Sequence, residues 1–379
     1  MKNVVIAGYC RSPFTPAAKG RLNKVRPDDL AAQVVKGLIG KTGVNPIDIE
    51  DLILGCGFPE GEQGMNMARL LVPLAGLPIS VAGVTVNRLC GSSMQAIHIA
   101  AGAIQMNAGH VFICAGVESM SRIPMGGFNY MPNPALYESF PQAYIGMGDT
   151  AENLARQYHI ERPEQETFAL ASQRKAYEAQ QQGRFSDEII PITTASNETV
   201  DTDGCLRPDS TAADLAKLTP AFQISGTVTA GTSSPLTDGA AAVLVCSEEY
   251  ADSHHLPKLA RIKATAVSGC APEIMGIGPV GATQKALQRA GLALDDIDIV
   301  ELNEAFAAQS LAVLKAMPIP LGKLNLDGGA IALGHPLGAS GARITGKAAS
   351  LLHREHKRYA LATMCIGGGQ GIATILEAI

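Results

Sequence analysis

The 379-residue chain has eight cysteines but no Cys-x-x-Cys, and no His/Cys/Asp spacing that resembles a metal cage. No metal site is therefore expected. There is no Gly-x-x-x-x-Gly-Lys-Ser/Thr, and no Gly-x-Gly-x-x-Gly follows a strand, so the two commonest glycine-loop routes to phosphate are missing. Charge is sparse: Asp, Glu, Lys and Arg make up 17% of residues, with a formal net charge of −5. That balance gives neither nucleic acid nor an anionic membrane a basic surface to bind. No apolar run approaches the ~18 residues of a membrane-spanning helix, so no membrane insertion is expected. The start, Met1-Lys2-Asn3-Val4-Val5-Ile6-Ala7-Gly8, reads as a first strand and is too short for a secretory h-region. The cysteines, at 10, 56, 90, 114, 205, 246, 270 and 365, are accordingly expected to be free thiols in a reducing cytoplasm.

The chain is 46% apolar and longer than one ordinary core supports, which predicts two or three domains or subdomains. Its 40 glycines exceed the usual ~7% and cluster beside apolar strands, as where a backbone must approach a ligand closely. At one constant offset the chain matches itself in three blocks. Gly43–Leu52 lies against Gly291–Val300, Leu89-Cys90-Gly91-Ser92-Ser93 against Leu337-Gly338-Ala339-Ser340-Gly341, and Val111–Val117 against Tyr359–Cys365. Two halves of like β-α-β order are predicted, each ending in a strand that runs into a glycine-rich loop. Helices are expected at Pro27–Gly40, Gly91–Asn107, Pro279–Ala290, Asn303–Met317 and Ala339–His353. Between the halves the texture becomes loop-heavy. The reading is an N-terminal half of residues 1–118 plus 246–257, an inserted loop domain of 119–245, and a C-terminal half of 258–379.

Cys90 follows the valine-rich run 81–86 and precedes a small-residue helix. A thiol there meets free N–H groups and the positive end of the helix dipole, which favour thiolate. Such a nucleophile needs a base, and its oxyanion needs donors. His335, wedged among small residues in Gly334-His335-Pro336, is one candidate partner. Cys365, before Ile366-Gly367-Gly368-Gly369, is a second, and Asn303, where a strand meets a helix, is a third. Taken singly, each has a plainer explanation: a packed cysteine, a structural histidine, or a helix N-cap for Asn303 with Glu304 in the first turn. The other seven histidines read as surface or loop residues.

Together the segments resemble the thiolase family nearly end to end. Val86-Asn87-Arg88-Leu89-Cys90-Gly91-Ser92 is similar to its nucleophile motif. Asn303-Glu304-Ala305-Phe306, Gly328–Pro336 and Cys365-Ile366-Gly367-Gly368-Gly369 resemble its other active-site blocks, in order. Gly226–Ser234 with Asp238-Gly239-Ala240-Ala241 resembles its coenzyme A loop. The resemblance implies an α/β thiolase fold: two duplicated β-α-β-α-β-type halves in a layered α-β-α-β-α arrangement, with an inserted loop domain. It implies cleavage of a 3-ketoacyl-CoA, with coenzyme A as co-substrate and no permanently bound cofactor. Cys90 would carry the acyl group, with His335 handling its proton, and the N–H groups of Cys90 and Gly367 would form an oxyanion hole. Asn303 would hold a water, and Cys365 would be the acid/base for the acetyl-CoA enolate. Ser234 would meet the pantetheine, and Met147, Met275, Phe222 and Phe306 would line the tunnel. The family also implies a homodimer or homotetramer, with a multifunctional β-oxidation subunit as a further partner in the degradative branch.

Ser93, Thr232-Ser233-Ser234-Pro235 and Gly146-Met147-Gly148 depart from the commonest family patterns towards the bacterial degradative branch. Asp327 stands where the family usually has asparagine, and Thr193–Pro208 is short. A 3-ketoacyl-CoA thiolase is therefore expected. The rivals are an acetoacetyl-CoA thiolase, a non-catalytic CoA- or lipid-binding relative, and a generic Cys–His hydrolase.

Overall fold

The computed structural model describes residues 2–379. Strand β1 (Val4–Arg11) leads through the short β2 (Thr15–Pro16) to helix α1 (Pro27–Thr42). Proline in its first turn, Asp28 and Asp29 behind it, and Gly43 at φ 69° as C-cap start and stop α1 where sequence chemistry places them. There follow β3 (Asp51–Gly55), α2 (Met67–Leu74), β4 (Ala82–Val86), α3 (Ser92–Gln105) and β5 (Val111–Ser119). The excursion beyond β5 holds α4 (Pro134–Ser139), α5 (Met147–Gln157), α6 (Arg162–Gln181), the ribbon β6 (Ile192–Thr193) with β7 (Thr199–Val200), and α7 (Ala212–Ala216). The chain returns through β8 (Thr237–Ser247), α8 (Glu248–Ser253), β9 (Ala260–Gly269), α9 (Gly278–Ala290) and β10 (Ile299–Leu302). Last come α10 (Ala307–Ala316), α11 (Ala330–Leu333), α12 (Leu337–Arg354), β11 (Tyr359–Ile366) and β12 (Gln370–Glu377).

The main sheet runs β10-β11-β12-β9-β1-β8-β5-β3-β4, with β2 beside β8. Among the described residues its two parts pair only through Val5↔Arg261 and Ile6↔Ala260 of β1 and β9. Strand β8 lies between β1 and β5, so the sheet takes up residues from Thr237 onward that the sequence places in the segment 119–245. Side chains alternate faces along each strand, and the cores sort accordingly. Leu52, Leu54 and Ile113 pack against α1 and α2, while Ile53, Phe112 and Val243 face inward onto Met94, Ile97 and Ile344. Met364 and Ile372 close that central core from the other part of the sheet, whose outer face packs Leu361 and Ile375 on Ala282 and Val313. The layers are thus α1/α2, sheet, α3/α12, sheet, α9/α10: the α-β-α-β-α order implied by the resemblance. The elements β3, α3 and β5 correspond to β10, α12 and β11 of the duplicate.

As the central layer, α12 is buried on nearly every side. Gly341 allows its close approach to α3, since a Cβ there would lie 2.4 Å from the Met94 nitrogen. Two expectations change. The helix predicted to open at Asn303 begins instead at Ala307, with Phe306 as its N-cap residue, because Asn303 is turned inward and wholly buried. His98 is on α3 and only partly exposed; its Nε2 lies 2.8 Å from Thr374 Oγ1, and the surrounding protein takes its pKa down to about 3.

Candidate active site between the two halves

The Cys90 elbow is held in a costly shape. Leu89 has φ 45°, a left-handed conformation that a branched side chain does not favour. Asn87 Oδ1 accepts the Leu89 N–H at 2.7 Å, Ser92 Oγ accepts the Arg88 N–H at 2.9 Å, and the Ser92 hydroxyl donates to the Leu89 carbonyl at 2.6 Å. These bonds offset the strain and lift Cys90 out at the head of α3. Ser93, the departure next to it, accepts the Ala342 N–H at 2.8 Å and so ties α3 to α12.

The thiolate expected from the helix dipole is not the resting state. Although Cys90 is only half-buried, the surrounding protein is dense enough that burial, helped by the Glu118 charge, pushes its thiol up to about 11. A hydrogen bond from the backbone N–H of Gly367 works the other way. Cys365, on β11, is almost wholly buried; burial and then the neighbouring Cys90 raise its thiol still further. Both sulfurs thus rest protonated.

The duplicate half supplies the other groups. The His335 backbone N–H donates to Thr237 Oγ1 at 3.0 Å, and its Nδ1 lies 2.6 Å from Ser340 Oγ. Burial and then the Arg343 charge lower its pKa to about 3, so the ring is neutral. Asn303 Nδ2 donates to His335 Nε2 at 3.4 Å, while the buried Asn303 Oδ1 has no partner. Glu304 turns the opposite way, accepting from Ser172 and Asn325.

The structure brings Met147, Met275, Phe306 and Cys365 into one apolar cluster. Phe222 is half-exposed and meets Phe306 edge-on at 5.8 Å between ring centroids. A Cβ on Gly367 would sit 3.3 Å from the Met147 sulfur, so Gly367 is also in the cluster. Ser234 is not aimed at Cys90: its hydroxyl donates to the Ala305 carbonyl at 3.0 Å and pins the loop to the Asn303–Phe306 segment.

One residue escaped the sequence reading. The carboxylate of Glu118, at the end of β5, accepts from the N–H groups of Gly57, Phe58 and Gly338 and from Gln63 Nε2, all within 3.2 Å. It thereby joins the loop beside Cys90 to the first turn of α12. A carboxylate ending a wholly apolar strand was the available signal.

The first half thus brings Cys90 beside Cys365 and Gly367 of the second, and the second half pairs a neutral imidazole, His335, with the buried amide of Asn303, next to an apolar cluster. The N-terminal domain model of thiolase matches residues 4–249 and its C-terminal domain model residues 256–378. The chain belongs to the thiolase family. Among its relatives, the 3-ketoacyl-CoA thiolase of Bacillus subtilis (strain 168) is 45% identical and that of Vibrio cholerae serotype O1 (strain ATCC 39315 / El Tor Inaba N16961) 49%, each matched over the full length of both chains. The crystal structure of human mitochondrial 3-ketoacyl-CoA thiolase superposes with a TM-score of 0.91 at 39% identity, covering 100% of this chain and 99% of that one. The human enzyme in complex with CoA gives 0.92, with coverage of 100% and 98%.

Proposed function

We propose that this chain is a 3-ketoacyl-CoA thiolase, cleaving 3-ketoacyl-CoA with free CoA to acetyl-CoA and a shortened acyl-CoA in fatty acid β-oxidation. The observation that supports this reading is the pairing of Cys90 with Cys365 and the Gly367 N–H across the two halves, with a neutral His335 bonded to Asn303 in the second half. Cys90 gives its proton to His335 Nε2, and its sulfur adds to the C3 carbonyl. The N–H groups of Cys90 and Gly367 take the oxyanion; the Gly367 donor, already on the resting sulfur, needs little reorganisation. The C2–C3 bond then breaks and its electrons pass to the acetyl-CoA enolate. The enolate oxygen is held by His335 and by a water on the unpartnered Asn303 Oδ1. Cys365, whose raised pKa keeps it a thiol, protonates C2. Free CoA returns a proton to Cys365 and takes the acyl group, and the leaving Cys90 sulfur recovers its proton from His335.

Coenzyme A is read as a co-substrate, its pantetheine beside the loop that Ser234 pins and its acyl group among Met147, Met275, Phe222 and Phe306. A cytoplasmic setting suits the eight free cysteines, and no helix among the described residues is long and apolar enough to cross a membrane. The outer edge of β4 has no strand beside it among the described residues, and Ile79, Leu70 and Leu74 are exposed nearby. A homodimer through this edge follows, a protein of twice the chain mass by light scattering.

The test is a comparison of thiolysis of 3-ketohexadecanoyl-CoA and acetoacetyl-CoA. At least a tenfold higher kcat/KM on the long substrate is expected. A preference for the C4 substrate would replace this reading with acetoacetyl-CoA thiolase.

A further inference from the structure

We propose that Ser340 is a positioning residue that selects the tautomer of His335, keeping the proton on Nδ1 and leaving Nε2 bare towards Cys90 and Asn303. This rests on the thiolase reading for the step it serves, but not for the geometry.

The direction of each hydrogen bond follows from what surrounds the serine. Ser340 is buried, and among the described residues its only acceptor besides His335 is the Pro336 carbonyl, 3.2 Å from Oγ. If the hydroxyl donates to that carbonyl, Oγ must accept at 2.6 Å from His335, and Nδ1 carries the hydrogen. The other side of the ring agrees: the Asn303 amide N–H approaches Nε2, which requires a lone pair there. A bare Nε2 is the state able to take the Cys90 proton. Once Nε2 is protonated, the Nδ1–H···Oγ bond is retained and no further proton moves.

The choice of a hydroxyl over a carboxylate has a chemical consequence. A carboxylate on Nδ1 would stabilise the imidazolium and hold the proton. Ser340 is neutral, and the charge pressing on the ring, Arg343 one turn further along α12, opposes protonation. The ring therefore gives the proton back readily when Cys90 leaves the acyl group. Because the environment keeps the resting ring neutral, its usefulness as a base is set by which nitrogen holds the single hydrogen.

The duplication points the same way. Ser340 is the counterpart of Ser92, and His335 that of Asn87, at the offset that relates the two halves. In the first half the serine and asparagine hold the backbone of the Cys90 elbow. In the second half the pair at the same places holds a titratable ring, so one structural device carries the nucleophile in one copy and its base in the other.

Nitrogen NMR of the whole protein labelled with 15N-histidine reads the tautomer without substrate. His335, assigned through His335→Gln, should show a protonated Nδ1 and an unprotonated Nε2 in the unaltered enzyme. A protonated Nε2 there would overturn the proposal, whatever any variant does. Ser340→Ala should move hydrogen to Nε2, lower kcat about 10–100-fold with KM little changed, and slow iodoacetamide alkylation of Cys90 to a similar degree. Ser340→Thr, which keeps the hydroxyl, should restore both the NMR pattern and the alkylation rate. If Ser340→Ala folds with the tautomer and the alkylation rate both unchanged, the proposal fails. Absence of thiolysis in the unaltered protein would defeat the functional reading instead and leave the tautomer result standing.

Discussion

Cys90→Ala should abolish thiolysis, with kcat/KM falling by about 10⁴-fold or more while the protein stays folded. No other group in the site can take over. Cys365 is almost wholly buried, and burial alone raises its thiol far from the thiolate a nucleophile needs. His335 is neutral and bonded at both nitrogens. Cys365→Ser should behave differently. It keeps the nucleophile, so mass spectrometry of the intact protein incubated with an acyl-CoA should still detect an acyl adduct on Cys90. Carbon–carbon cleavage needs the proton that Cys365 delivers, and turnover should fall about 10²- to 10⁴-fold. Full activity in Cys365→Ser would favour a Cys–His hydrolase. Activity surviving in Cys90→Ala would mean that Cys90 is not the nucleophile.

The segments proposed to carry those roles stood out in the sequence because glycine and small residues mark the places where backbone must come close. The loops after β11 and before α12, and the turn into α3, stand out as motifs for that reason. What eluded it were properties set by burial. At the head of α3 the oriented N–H groups favour a thiolate at Cys90, but desolvation outweighs them and raises its pKa. Asn303 reads locally as an N-cap, yet its side chain faces His335 and the helix waits until Ala307. His98 looks exposed by type, but its partner Thr374 lies far along the chain on β12. Glu118 has no motif at all, since its donors come from the 56–63 segment and from Gly338, far from it along the chain. Long-range pairing of this kind leaves no periodic trace.

Asp327→Asn should be the most damaging substitution outside the reacting groups. The surroundings of the carboxylate give the reason. Asp327 is wholly buried and meets Lys347 at 2.7 Å, Arg184 at 3.0 Å and Arg354 at 2.6 Å. Lys347, itself buried in α12, has only one other anion, Glu188 at 2.9 Å, and Glu188 is shared with Arg11. Removing one partner of a buried pair typically costs 3–5 kcal/mol; the remaining Glu188 reduces that here to about 2–4 kcal/mol. A shift of the urea midpoint to lower concentration at unchanged slope would measure it. Pairing the change with Lys347→Met should recover most of the loss, because no buried cation is then left unmatched. The acid side gives an independent check. The cations around it hold the Asp327 carboxyl well below its usual range despite burial. Its contribution is therefore complete above the unfolded value of about 3.9 and is lost as pH falls below that towards the folded value. Asp327→Asn should accordingly be less stable at pH 7 and lose less on acidification from pH 4 than the unaltered protein. Parallel stability curves for the two across that range would mean that Asp327 is not the group that couples this ion cluster to pH.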